Sequence, residues 1–184
     1  LKDMPHRRIS AAAPDLPPII LASDAQVEKG KYPGGGFLLY DPVTHSRVGG
    51  WIVFKDEDLA CLNTSMEEIR SGRQPIAKCE CVMLPLTLLW KAETVRGRNV
   101  IWYVDNTAAL QGTVKGTSKE ATNDGLISLF GILSFRLQCK IWLEFIDSEA
   151  NWSDGISRLY AKDPFARDHN FNTQPYYMPH HWVK

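Results

Sequence analysis

The sequence predicts an α/β domain: a mixed five-stranded sheet, three antiparallel strands followed by two more, with helices on both faces. Three observations predict it. Short β-prone runs stand at Ile19 to Asp24, Phe37 to Tyr40, Val48 to Phe54, Val100 to Val104 and Ile141 to Ile146. The first three are separated by turn residues, Gly34-Gly35-Gly36 and Asp41-Pro42, as in consecutive hairpins. Helical periodicities follow them and alternate with the last two strands, which puts helices on the faces of the sheet.

The helices follow from spacing. From Ile76 to Ala92, Cys79, Met83, Leu86 and Trp90 fall one helical turn apart, while Val82, Leu84, Leu88 and Leu89 fill the other faces. A helix apolar nearly all round is a buried central one. Pro85 inside it costs about 3 kcal/mol in a regular helix, so a kink or a late start is expected there. A short helix is expected over Thr107 to Val114, and Leu126, Leu129, Phe130, Leu133 and Leu137 mark an amphipathic one. Asn151 to Tyr160 reads as the last helix, with Asp154 near its start. The element order is βββαβααβα. Residues 1–18 hold four prolines and the triplet His6-Arg7-Arg8, and read as a linker or extended arm. The domain proper is placed at 19–160. Residues 161–184 have no readable period and are taken as a C-terminal extension.

Composition bounds the function. The 184 residues suit one domain, and 44% hydrophobic against 23% charged residues is an ordinary globular balance. A formal net charge of zero supplies no global basic field for nucleic acid. Cys61, Cys79, Cys81 and Cys139 lack the paired spacing of a zinc site; they read as small core residues and favour a reducing compartment. No apolar run approaches the roughly 20 residues that span a bilayer, so no membrane partner is expected. Because the chain opens on Leu1, a piece of a longer polypeptide is expected, and no cellular address is legible.

The acids carry the chemistry. Asp24 and Asp105 each end an apolar strand, where sites in such sheets are assembled. One acid there is ordinarily a turn residue. Glu80 is a third, embedded in the apolar helix between Cys79 and Cys81. A buried lone carboxylate costs several kcal/mol unless something pairs with it. The pairing group is either a metal shared with neighbouring acids or a core arginine, and spacing alone does not choose.

Ser23-Asp24-Ala25, Glu80 in its helix, Tyr103-Val104-Asp105-Asn106-Thr107-Ala108-Ala109-Leu110, and Asn151-Trp152-Ser153-Asp154-Gly155-Ile156-Ser157-Arg158 together resemble the ribonuclease H domains of retroelement reverse transcriptases. The likeness runs from about residue 18 to about residue 160. Each motif alone is weak; four in order, on the expected elements, are specific. The resemblance implies a ribonuclease H-like fold and a two-ion Mg²⁺ (or Mn²⁺) centre held by Asp24, Glu80, Asp105 and Asp154. By analogy Asp24 bridges both ions, Glu80 and Asp105 complete the ion on the leaving-group side, and Asp154 the ion that carries the water. Two divalent ions so placed activate water and stabilise the leaving oxygen, and carboxylates are the hard ligands Mg²⁺ prefers. The implied activity is hydrolysis of the RNA strand of an RNA–DNA hybrid, beside a linked polymerase domain or within a larger assembly.

This sequence departs from the family pattern in several places. Ser153 stands where alanine is usual, which makes Asp154 the least secure ligand, with Asp147 and Glu149 as fallbacks. Pro85 follows Glu80 by five residues. No loop histidine lies between the fifth strand and the last helix, and Lys115 to Lys119 is too short to be a basic handle.

Other residues have two readings each. Asn106 and Thr107 contact the substrate backbone or cap a helix. Gly35, with Gly34 and Gly36, admits a nucleic-acid backbone or merely turns the chain. Gln26 reaches a minor groove or is solvated. Trp51, Trp102 and Trp142 are expected in the core, His180-His181 in a solvated tail, and Arg158 in an ion pair or on a phosphate. Three wider alternatives stay open: an integrase- or resolvase-type nuclease of the same superfamily, a domesticated inactive domain serving as a structural or RNA-binding subunit, and a bare ion-pair network in an unrelated α/β fold.

Overall fold

The computed structural model describes residues 16–73 and 75–179. Most of the expected arm, and His180-His181, lie outside the described residues. Strands β1 (Ile19–Gln26), β2 (Gly34–Asp41) and β3 (Ser46–Val53) form an antiparallel meander, as the turn residues predict. Asp41 shapes the second turn itself, accepting from Val43 N at 3.1 Å and Thr44 Oγ1 at 2.9 Å. It also takes Arg98 in an ion pair at 3.0 Å, both side chains largely buried, and this ties the hairpin to the start of the next strand.

Helices α1 (Asp56–Cys61) and α2 (Met66–Arg70) come next and bury Leu59, Met66 and Ile69 in the core. The sequence reading left this stretch unassigned. The central helix α3 (Ile76–Trp90) runs unbroken through Pro85, so the expected late start is not found. Pro85 deletes one backbone hydrogen bond, but Cys79 to Leu88 are all buried, and contacts on every side outweigh that loss. After α4 (Ala92–Val95) come β4 (Asn99–Val104), α5 (Thr107–Lys115), α6 (Ala121–Arg136) and β5 (Lys140–Phe145). The periodic residues of α6 do face inward, Leu126, Phe130 and Leu137 being buried. Helices α7 (Asp154–Leu159) and α8 (Pro164–Asp168) precede the final strand, β6 (Asn172–Pro175).

The sheet has six strands in the order β5-β4-β1-β2-β3-β6, one more than expected. The extra strand comes from the segment taken as an extension. It pairs parallel to β3, Val48 opposite Asn172. Its short polar sequence, Asn-Thr-Gln-Pro, has no apolar alternation to betray it. Past it, Tyr176 stacks on Trp90 at 4.7 Å, Trp90 Nε1 donates to Tyr177 O at 3.2 Å, and Met178 enters the core. The segment from Asn172 to Met178 is thus packed into the domain. Trp102 is fully buried as expected and Trp51 is partly so, but Trp142 is 68% exposed. It sits on β5, an edge strand, and β-propensity alone does not distinguish edge from centre.

Helices α3 and α7 pack on opposite faces of β2, and the three glycines explain how closely. A Cβ at Gly34 would lie 2.5 Å from Ser157 O, and one at Gly36 would lie 2.8 Å from Ser157 N, both on α7. A Cβ at Gly35 would collide with Met83 of α3. Gly36→Ala should therefore destabilise the domain by about 1–3 kcal/mol through overpacking. Gly125→Ala, in open space on α6, should stabilise it by about 0.5–1 kcal/mol through helix propensity. Urea midpoints of the two variants, moving in opposite directions, check this account.

Candidate active site

Asp24 and Asp105 arrive together because β1 and β4 are parallel neighbours, paired from Ile19–Val100 to Ala22–Tyr103. Trp102 Nε1 donates to Ser23 Oγ at 2.9 Å, a buried bond that locks the two strands just before their acids. Glu80 comes from the first turns of α3. Its Oε1 accepts from the backbone N–H of Ala25 at 3.1 Å, which fixes the carboxyl against the end of β1. One oxygen from each of Asp24, Glu80 and Asp105 lies within 4.8 Å of the others.

Asp24 and Glu80 are buried and no cation pairs with either among the described residues; Asp105 is half-buried. Burial pushes the Asp24 carboxyl up to about 7, against a lowering hydrogen bond from Ser157 and with a further rise from the charges of Asp105 and Asp154. Glu80 is raised well above the ordinary carboxylate range, first by burial and then by the charges of Asp24 and Asp105, while the Ala25 N–H works the other way. A core arginine, the alternative partner for Glu80, is not what the structure provides. Three crowded carboxyl oxygens with no directly paired cation among the described residues are a donor set that suits a hard divalent cation.

Asp154 stands apart from this trio. As first residue of α7 it is partly exposed, and its Oδ1 accepts from Arg158 Nε at 2.7 Å one turn later. Its charge still reaches Asp24. The ion-pair reading of Arg158 is the one observed. The fallbacks Asp147 and Glu149 are exposed at a 3-10 turn, Ser148–Ala150, and its flank.

The other candidates divide. Asn106 Oδ1 accepts from Ala109 N at 3.0 Å, so Asn106 caps α5, and Thr107 is exposed at the first turn beside Asp105. Gln26 is buried rather than solvated, with no partner for its Oε1. The close approach that Gly35 permits is taken by Met83. Two side chains that the sequence reading did not single out hold the acids: Ser23, through Trp102, and Ser157, whose Oγ donates to Asp24 Oδ2. Both sit inside the quoted motifs, next to Asp24 and to Arg158, and that adjacency was the available signal.

No protein-family profile matches the chain, and no curated protein sequence does. Solved structures do match. RNase H1 from the halophilic archaeon Halobacterium salinarum NRC-1 aligns over 80% of this chain and 99% of its own, at a TM-score of 0.60 and 10% identity. The fold is that of ribonuclease H. The N-terminal RNase H domain of rv2228c from Mycobacterium tuberculosis, solved as a fusion with maltose-binding protein, aligns over 82% of this chain and 96% of its own, at a TM-score of 0.56 and 12% identity. This ribonuclease H-like domain adds β6 and its tail to the expected five strands.

Both raised carboxyls hold their protons more tightly in the folded chain than in the unfolded one. Between the ordinary carboxylate range and about pH 7 the folded state therefore binds more protons, and stability falls as pH rises through that window. The metal-free domain should lose unfolding midpoint between about pH 5 and pH 8, and Asp24→Asn should flatten that loss. A wild-type midpoint that rises over the window removes the electrostatic crowding.

Proposed function

We propose that this domain is a metal-dependent endonuclease that hydrolyses the RNA strand of RNA–DNA hybrids, in the setting of a retroelement-type reverse transcriptase. The observation that carries the reading is the trio Asp24, Glu80 and Asp105, brought within ligand distance at the ends of two parallel strands and one helix of a ribonuclease H fold. Asp24, Glu80 and Asp105 are the residues that would hold one divalent ion, with Asp24 and Asp154 holding a second. When bound, two such ions activate a water and stabilise the leaving 3′ oxygen in an in-line displacement.

The chain's own groups have distinct tasks. The Ala25 N–H orients Glu80, and the Ser23–Trp102 bond keeps Asp24 and Asp105 in register. Arg158 balances the charge of Asp154, and its guanidinium is the group on α7 that would take a backbone phosphate. Thr107, exposed at the start of α5, and the backbone of Asn106 are the groups offered to a substrate strand. Gln26 lies two residues past Asp24, and its unpartnered Oε1 would accept from a 2′-hydroxyl brought within reach. With zero net charge, the isolated domain should bind hybrid weakly and with a shallow salt dependence; a linked polymerase domain would raise the effective concentration.

A second reading, a captured domain without turnover, is favoured by one observation: Asp154 is tied to Arg158 and stays outside the trio. One experiment separates the two. The domain, at high concentration with Mg²⁺ or Mn²⁺, is given matched hybrid, RNA and DNA duplexes. The enzyme cuts only the RNA strand of the hybrid, and Asp24→Asn abolishes cutting while still folding. No cleavage at any concentration, with assembly retained when all four acids are replaced, selects the captured domain.

A further inference from the structure

Ser157 is fully buried, yet its hydroxyl is not spent on a helix back-bond alone. Two acceptors lie within reach of Oγ: the carboxylate oxygen Oδ2 of Asp24, and the carbonyl of Asp154 one turn earlier at 2.9 Å. A hydroxyl has a single proton to donate. The carbonyl offers the neutral bond that many helical serines make. The carboxylate offers a charge-assisted bond of roughly twice the strength, and it takes the proton.

What makes this contact fixed rather than incidental is the seat of Ser157. Its carbonyl and its N–H rest on the bare Cα atoms of Gly34 and Gly36, where a methyl group would lie 2.5 and 2.8 Å away. Gly36 is the residue paired with Asp24 across the β1–β2 ladder. Backbone contact on one strand therefore sets the position of the hydroxyl against the acid on the next. Asp24 is thereby gripped from the α7 side, while it faces Glu80 and Asp105 with its remaining ligand capacity. The neighbouring Ile156 takes no part in the hydrogen bond to Asp24 and is fully buried with Leu38 and Ala166.

We propose that Ser157 is a positioning residue for Asp24: it holds Oδ2 and so orients the carboxyl that would be shared between two cations. The proposal rests on the metal-centre reading above. Its role is mechanical and electrostatic, since the hydroxyl restricts rotation of the Asp24 carboxyl and favours its charged, ligating form. Gly34 and Gly36 belong to the same device, because any side chain there would lift Ser157 off its acid.

The test is cation binding in the absence of nucleic acid, so that turnover plays no part. Mg²⁺ is titrated calorimetrically into wild type, Ser157→Ala, Asp24→Asn and Ile156→Val at about pH 8, well above the ordinary carboxylate range. Unfolding midpoints are recorded in chelator. Outer-sphere partners of metal ligands are worth about 10- to 100-fold in affinity, and Ser157→Ala should weaken Mg²⁺ binding by that factor. Ile156→Val, which loosens α7 without touching Asp24, should lower the unfolding midpoint and leave Mg²⁺ affinity within about twofold of wild type. Wild-type affinity in Ser157→Ala overturns the proposal. So does an affinity loss in Ile156→Val that matches the one in Ser157→Ala, since both would then report helix packing alone. If wild type itself binds no Mg²⁺, the metal-centre reading falls first and takes this proposal with it. That result is distinct from the other two, which leave the centre standing.

Discussion

Holding three carboxyl groups in one place, two of them out of water, is the constraint on which the surrounding structure depends. Asp24, Glu80 and Asp105 come from a strand, a helix and a second strand that are distant in sequence, and their mutual repulsion works to spread them. Bonds from outside the trio hold two of them directly and align the strand of the third. The Ala25 N–H holds Glu80, Ser157 holds Asp24, and the Trp102–Ser23 bond keeps the strand that leads to Asp105 level with its neighbour. The core behind them is dense: α3 is buried from Cys79 to Leu88, and Trp102 packs edge-on against Phe130. Such a site costs stability in the unliganded chain, and a cation that bound the folded state alone would return it.

The acids and the first three strands were legible because their signals are local. A strand that ends on an acid, a triple glycine before an aromatic run, and an apolar helix carrying one glutamate can each be read within ten residues. The short helices α1 and α2, six and five residues long, are too brief to show a period. Strand β6 pairs through its backbone with no apolar pattern, so only the fold reveals it. Trp142 looks like core by composition and is exposed because β5 is an edge, which is a property of the whole sheet. Gln26 is buried although its polarity alone points to solvent: it pairs with Gly34 at the end of β1, beside Ser157 and the Tyr160 hydroxyl.

Asp154 and the glycines show where residue type underdetermines role. The helix expected over Asn151 to Tyr160 is found as α7, opening on Asp154, but α8 follows it, and the ion pair of Asp154 with Arg158 depends on one turn of helix between them. Gly34 to Gly36 suggested either a turn or a place for a ligand to approach. The structure gives a third use, in which a strand is thinned so that one helix can settle on each face. The same principle recurs at Gly155, where a side chain would collide with the Asp163 carboxyl that caps α8 through Phe165 N and Ala166 N.

The pairing of β3 with β6 also sets a schedule for synthesis. Val48 and its partner Asn172 are 124 positions apart, 172 less 48. At roughly 5–20 residues per second on the ribosome, the outer edge of β3 waits on the order of 6 to 25 seconds for its neighbour to emerge. During that interval the edge is a template for any passing strand. Its middle, Gly49-Gly50, is the part of β3 least able to recruit one, having no side chains to pack and a poor preference for extended structure. Tyr176 later lies across Gly50, in space that any larger residue would fill. The glycine pair that leaves room for this later-made segment thus also keeps the nascent sheet from pairing with a stranger.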